Sequence, residues 1–408
     1  MVYDTVRAAF ARGRERHARE ILDLLGPLVA ARTANAGREG MAVCPGQEVP
    51  GEETRVVEIV RPVLASLGAD CRVHALDPRR ANLVATLGDQ GPVLAVGCHA
   101  DVVPPGDGWE ADPWTVTERD GFLVGRGVLD DKGPLAASVV AMRVLVESGV
   151  RLAGRFQLAV IASEEHREEG EPDPGIGYLL ETGALKPDYA IIPDVGENMR
   201  RIDVAEKGRA VFRITAVGRQ AHGSTPERGV NAVTAMARFI SRMEASTLPH
   251  EVHPVLGSPT VNLGIIQGGA AANIVPGECT TTWDVRYVPG QTPEGVLATF
   301  RAVASDLGGE WRFHVADASL PHAIPADHPL VFAVQRSTEA VLGFQPEPFG
   351  MGGGTFAKAF NLGGIPAIGF GPGDEDQYHV ANERVEWRQL VDFAEVLACV
   401  AVDLLGVR

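Results

Sequence analysis

Basic residues are in short supply: 37 Lys and Arg stand against 53 Asp and Glu, a formal net charge of -16. A surface of that sign repels phosphate backbones and excludes a nucleic-acid partner, while an anionic small molecule would need a local cation. Cysteine is scarce. Cys44, Cys71, Cys98, Cys279 and Cys399 are odd in number and lack CxxC spacing, so free thiols are expected rather than a disulfide framework or a thiolate zinc knuckle. Nowhere do the roughly 18 consecutive apolar residues of a membrane-spanning helix occur. The N-terminal MVYDTVRAAFARGRERHAREIL is charged throughout and lacks a signal-peptide core, so no membrane partner and a cytoplasmic location are expected. Internal repeats and low-complexity linkers are missing as well.

What remains is an ordinary soluble composition, 45% hydrophobic and 22% charged, over 408 residues. That length exceeds the roughly 250–300 residues at which one core stops growing, so two domains are expected. Apolar periodicity predicts helices over 14–31 and 53–67, then buried strands at NLVATL (82–87), PVLAVGC (92–98), FQLAVIA (156–162) and 189–192, with a helix over 134–147. From 207 to 319 the character changes. RAVFRITAV (209–217) alternates, 260–267, 279–286 and 311–315 read as strands, and 230–243 and 291–307 as helices. A helix over 329–342, a strand at 366–369 and a closing helix over 386–405 follow. The expected fold is α/β: a catalytic domain of residues 1–206 and 320–408 with a mixed, mostly parallel sheet flanked by helices, interrupted by an α+β domain of residues 207–319.

Chemistry-bearing residues fall just beyond the apolar strands, where sites form in open α/β sheets. His99 and Asp101 end one strand, and the carboxylate is expected to orient the imidazole. In GRGVLDDKG (Gly125 to Gly133), Asp130 and Asp131 read alone as a solvated turn. Beside the other acids, Asp130 reads as a carboxylate bridging two metals about 3.5 to 4 Å apart, with Asp131 in support. Glu164 and Glu165 follow the next strand; neighbours at a strand end point in different directions, so Glu165 is assigned to metal and Glu164 to proton transfer. Glu168 and Glu169 form a rival pair farther from the strand. With Asp194 and His379 the sets become His99, Asp130 and Asp194 on one metal and Asp130, Glu165 and His379 on the other. Nitrogen and oxygen donors suit two zinc ions, with cobalt or manganese as substitutes.

The chain closely resembles the dinuclear zinc amidohydrolases that include aminoacylase, acetylornithine deacetylase, succinyl-diaminopimelate desuccinylase, glutamate carboxypeptidase and the Xaa-His dipeptidases or carnosinases. The resemblance rests on GCHADVVPPGDGW (Gly97 to Trp109), GRGVLDDKGP (Gly125 to Pro134), SEE (Ser163 to Glu165), PD (Pro193 to Asp194), GRQAHGSTPERGVNAV (Gly218 to Val233), GGAAANIVP (Gly268 to Pro276), DVR (Asp284 to Arg286), GGGT (Gly352 to Thr355) and YHVANE (Tyr378 to Glu383), in the family's order. It implies a zinc-exopeptidase-like fold whose inserted domain acts as a lid and often as the dimer interface, and a cis Asp130–Asp131 peptide. It implies further that His222 reaches a partner subunit's site to polarise the scissile carbonyl, and that Arg286 clamps a substrate carboxylate. Gly353, Gly354 and Thr355 are expected to face the same anion, and Asn262 is set between turn capping and substrate contact. The stretch HREEGEPDPGIG replaces the family's short turn after the glutamate pair.

Together these residues predict hydrolysis of a dipeptide or N-acyl amino acid by a metal-bound hydroxide, with Glu164, Asp101 and His222 as the catalytic set. The alternatives are a dedicated desuccinylase or deacetylase of an amino-acid intermediate, and a metal- or peptide-binding protein without turnover.

Overall fold

The computed structural model describes residues 3–35, 47, 50–166 and 170–408; Cys44 and the Glu168, Glu169 pair lie outside them. The chain divides into two compact units. One comprises Met1–Val204, Ile324–Phe349 and Thr355–Arg408; the other comprises Ala205–Ala323 and Gly350–Gly354.

In the first unit a mixed sheet runs in the order Asp70–His74, Asn82–Leu87, Arg155–Ile161, Val93–His99, Tyr189–Ile192, Ala367–Gly369, Arg201–Glu206. Arg155–Ile161, Val93–His99, Tyr189–Ile192 and Ala367–Gly369 are mutually parallel, and the outer pairings are antiparallel. VLAVGCH is buried at every position, as a central parallel strand covered on both faces must be. Helix Lys132–Glu147 is almost wholly buried and packs with Trp387–Leu405 and Asp4–Ala30. That last helix begins earlier than the predicted 14–31. Its buried stripe of Val6, Phe10, His17, Ile21 and Leu25 is a single residue wide and runs between arginines, which hides the periodicity of its first turns.

Asp70–His74 and Arg201–Glu206 were not anticipated as strands. DCRVH is an edge strand with no buried residue, and RIDVAE is buried despite its charges. Three short strands, Arg384–Glu386, Phe122–Val124 and Thr117–Arg119, form a small separate sheet.

The second unit is an antiparallel sheet in the order Thr260–Gly268, Glu278–Tyr287, Gly208–Val217, Glu310–Ser319, with helices Ala232–Glu244 and Pro293–Leu307. Burial alternates along Gly208–Val217, the period-2 signature of a sheet covered on one face. Phe212, Phe239, Trp283 and Phe300 fill the core with edge-on contacts. Asn231 and Thr292 cap the two helices by accepting the Thr234 and Gly295 N–H groups. Among the described residues Cys71, Cys98, Cys279 and Cys399 are free thiols, and no helix is long and apolar enough to cross a membrane.

Candidate metal centre

The site lies where three central parallel strands end. His99 is the last residue of its strand and pairs with Ile161; Glu164 and Glu165 follow Ile161, and Asp194 follows Ile192. Hydrogen-bonded neighbours therefore deliver their next residues to one edge of the sheet. Asp130 arrives from the turn before helix Lys132–Glu147. Two glycines make that turn possible: Gly127 has φ +90°, and a Cβ on Gly133 would stand 2.0 Å from the Val128 carbonyl oxygen. The Asp130–Asp131 peptide is cis.

Asp130 uses both oxygens. Its Oδ1 lies 2.8 Å from His99 Nε2, and its Oδ2 lies 3.1 Å from His379 Nε2. His379 Nε2 is also 3.1 Å from Glu165 Oε2, and Asp194 Oδ1 is 4.0 Å from His99 Nε2. His99, Asp130 and Asp194 form one group able to hold a metal ion, and Asp130, Glu165 and His379 another, the donor atoms of each lying within 4.8 Å of one another. The donor chemistry fits two divalent cations. Glu165 Oε1 is buried with no hydrogen-bond partner, an acceptor left over for such an ion.

Electrostatics point the same way. Burial pushes the carboxyls of Glu164 and Asp194 well above the usual range, helped by the acids around them, and raises Glu165 to about 7 with Asp130 beside it. Hydrogen bonds to Asp130 and Glu165 raise His379 to about 10. Burial alone would lower His99, but the Asp130 carboxylate, with Asp194 and Asp131 behind it, holds it well above its ordinary value. The site thus retains protons that a metal would displace.

A dependence on pH follows. Glu165 and His379 bind protons more tightly folded than unfolded, where their values are about 4.3 and 6.5. The His379 contribution is fully present below about 6.5 and is lost as pH rises through about 10; raised Glu165 adds a loss between about 4.3 and 7. Chelator-treated protein should show an unfolding midpoint that declines from about pH 5.5 to 9 and is restored by added zinc. A midpoint that climbs over that interval contradicts this electrostatic picture.

Asp101 departs from its expected role. His99 Nδ1 is 2.9 Å from the Asp101 backbone carbonyl, while the nearer carboxylate oxygen is 3.8 Å away. The carbonyl orients the imidazole because the buried carboxylate is occupied elsewhere: it accepts the N–H groups of Glu164 and Glu165, both at 3.1 Å, and Asn35 Nδ2 at 2.8 Å. Asp131 likewise supports His99 rather than Asp130, accepting the His99 N–H at 3.1 Å. Glu53, held by both arms of Arg80, accepts the Ser163 N–H just before the glutamate pair. Asn35, Glu53 and Arg80 carried no local signal in the sequence.

The Glu164 carboxylate has no hydrogen-bond partner among the described residues, in keeping with a group kept available. In the second unit His222 is exposed, and its Nδ1 accepts the Ser224 N–H at 3.2 Å. Asn262 pairs with Asp284 across adjacent strands, so Asn262, Asp284 and Arg286 share one sheet face. Arg286 is tied to Asp284 through Nε (2.7 Å) and Nη2 (3.3 Å), and its Nη1 donates to the Gly352 carbonyl at 2.9 Å. The arginine and the glycine turn that includes Gly353 and Gly354 therefore meet. Thr355 is buried, and its hydroxyl accepts the Ala357 N–H as the N-cap of helix Phe356–Leu362, a use that the sequence reading did not anticipate.

A probable succinyl-diaminopimelate desuccinylase of Staphylococcus epidermidis is 28% identical over 377 residues, covering 84% of this chain and 91% of its own. An acetylornithine deacetylase of Myxococcus xanthus is 31% identical over 344 residues, covering 81% and 85%. Among solved structures, aminopeptidase PepT of Bacillus cereus superposes with a TM-score of 0.76 at 21% identity, covering 95% of this chain and 98% of that one. Human carnosine dipeptidase 1 gives a TM-score of 0.69 at 17% identity, covering 98% of each chain. These two establish the fold. The sequence profile of Peptidase family M20/M25/M40 matches residues 95–403, a span that takes in every residue of both donor groups; the chain belongs to that family of metallopeptidases and amidohydrolases.

Proposed function

We propose that the protein hydrolyses the amide bond of a dipeptide or N-acyl amino acid bearing a free carboxylate, using two divalent cations, zinc foremost, that share Asp130. The observation that carries this reading is the split use of the Asp130 carboxylate, one oxygen toward each histidine of two separate donor groups. Held by His99, Asp130, Asp194, Glu165 and His379, the cations would supply Lewis acidity to the scissile carbonyl and to an attacking water.

Glu164 would take a proton from the attacking water and return it to the leaving nitrogen. Its unpartnered carboxylate and upward-shifted pKa suit a group that must both accept and donate a proton. Asp101 fixes its position by holding the Glu164 and Glu165 N–H groups, and its backbone carbonyl fixes the His99 tautomer with Nε2 free to ligate.

His222 Nδ1 faces Ser224, 2.7 Å from its Oγ and 3.2 Å from its N; in the neutral tautomer in which Nδ1 accepts from both, Nε2 carries the proton and can donate to a substrate carbonyl. That role requires the second unit to serve as lid and homodimer interface. Its edge strand Thr260–Gly268 is exposed nearly throughout and presents Val261, Ile265 and Ile266. Arg286, with the Gly352–Gly354 turn at its tip, binds the substrate carboxylate, and Asn262 stands on the same face. No nucleic acid or membrane enters this reading.

A second reading, a dedicated desuccinylase or deacetylase, draws support from the names of the two curated relatives. A panel of dipeptides and of acetyl, succinyl and carbamoyl amino acids, each with zinc, cobalt and manganese, separates the two. Turnover spread over dipeptides and acyl amino acids is expected; turnover confined to one acylated amino acid would establish the second reading. Bound metal with no product from any member would leave only a binding protein.

A further inference from the structure

Two of the three residues in the second donor group sit on segments far apart in sequence, the turn carrying Asp130 and the loop carrying His379. One side chain ties them together. Glu383 is fully buried, four residues beyond His379, and its carboxylate enters the Asp130 turn rather than the metal centre. Its Oε1 accepts the N–H groups of Leu129 at 2.8 Å and Asp130 at 3.1 Å, and Gly127 N–H reaches both oxygens at 3.0 and 2.9 Å. Arg126 Nη1 donates to Oε2 at 2.7 Å, with only 1% of the arginine side chain exposed. The arginine is held in turn over the Trp109 ring, 5.3 Å from its centroid, and against the Pro104 and Pro105 carbonyls at 3.5 and 3.4 Å. The Gly125 N–H completes the link by donating to the Glu383 carbonyl at 3.1 Å.

We propose that Glu383, braced by Arg126, is a positioning residue that clamps the Asp130 turn to the His379 loop and so sets the spacing of the second metal site. Successive N–H groups converging on one anion form a backbone nest, and charge-assisted bonds from a carboxylate hold such a nest more firmly than neutral ones. Asp130 presents its carboxylate only one carbon beyond the backbone, so fixing its N–H fixes where the shared carboxylate can reach. His379 and Asn382, both on the segment leading into Glu383, adopt left-handed backbone, φ +60° and +59°, a conformation that side chains rarely hold without support. Glu383 and Asp130 have no hydrogen bond between side chains, so the effect passes through main-chain geometry.

This inference rests on the proposed two-metal reading, and the test separates the two. Wild-type protein and Glu383→Gln are stripped of metal and titrated with cobalt, following visible absorption, binding stoichiometry, kcat and KM. Two binding steps in wild type uphold the reading itself. In Glu383→Gln one of the two steps, the one that His379→Ala also abolishes, should lose at least tenfold more affinity than the other, with an altered cobalt spectrum, a kcat at least tenfold lower and KM within threefold. Glu383→Asp, which restores the charge on a shorter arm, should recover part of the lost affinity. Native-like binding steps and kcat in folded Glu383→Gln would overturn the clamp while leaving the two-metal reading intact. If Glu383→Gln does not fold, Arg126→Lys, which leaves the Glu383 nest in place, decides the matter: a smaller loss in the step that His379→Ala abolishes supports the clamp, and unchanged binding overturns it.

Discussion

Asp130→Ala should strip the protein of both cations together and lower kcat/KM by at least about a thousandfold. Without Asp130, one donor group is left with His99 and Asp194 and the other with Glu165 and His379. Two protein ligands fall short of the three that catalytic zinc sites ordinarily present. Asp194→Ala and His379→Ala each touch a single group and should leave one equivalent of metal behind. Metal analysis after gel filtration checks the contrast. An Asp130→Ala protein that keeps one full equivalent would show that the carboxylate is not shared.

Glu164→Gln should do the opposite, leaving metal content and KM within threefold of wild type while kcat falls about a hundred- to ten-thousandfold. The amide keeps the size of the side chain and removes the site of proton transfer. Because the Glu164 carboxylate makes no hydrogen bond to a described residue, and its N–H bond to Asp101 is main-chain, the substitution disturbs no side-chain network and stability should change little. The acidic limb of the wild-type kcat profile should be absent from the residual activity. Near-normal turnover in metal-loaded Glu164→Gln would move the proton-transfer role to another group.

The donor set could be read from sequence because each member follows a feature with its own local signature. His99 ends one short apolar strand, Glu165 and Asp194 follow two others within four residues, and parallel neighbours bring these ends together. Glu164 and Glu165 differ in their surroundings: Glu165 Oε2 lies 3.1 Å from His379 Nε2, while the Glu164 carboxylate has no hydrogen bond to a described residue. What stayed hidden was the support. Asn35 bonds Asp101 across 66 residues and Glu383 bonds Gly127 across 256, and no periodicity or spacing marks such partners. Glu383 and Arg126 lay inside quoted motifs without an assigned role, since a glutamate beyond a histidine reads as loop until burial shows that it faces inward. The Asp101 carboxylate was assigned to His99 on a two-residue spacing; three N–H groups from other segments compete for it and win. The missed strand Arg201–Glu206 fails the apolar pattern for a related reason, carrying Asp203 and Glu206 buried within it.

The central claim is that two cations share one carboxylate and that both are needed for amide hydrolysis. Protein stripped by chelator and titrated with zinc, with binding followed calorimetrically and hydrolysis of the best panel substrate assayed at each point, tests it most directly. Two equivalents should bind with release of protons, and activity should reach its plateau only as the second site fills. Full activity in the stripped protein, or a plateau at one equivalent with no second binding step, would contradict the account.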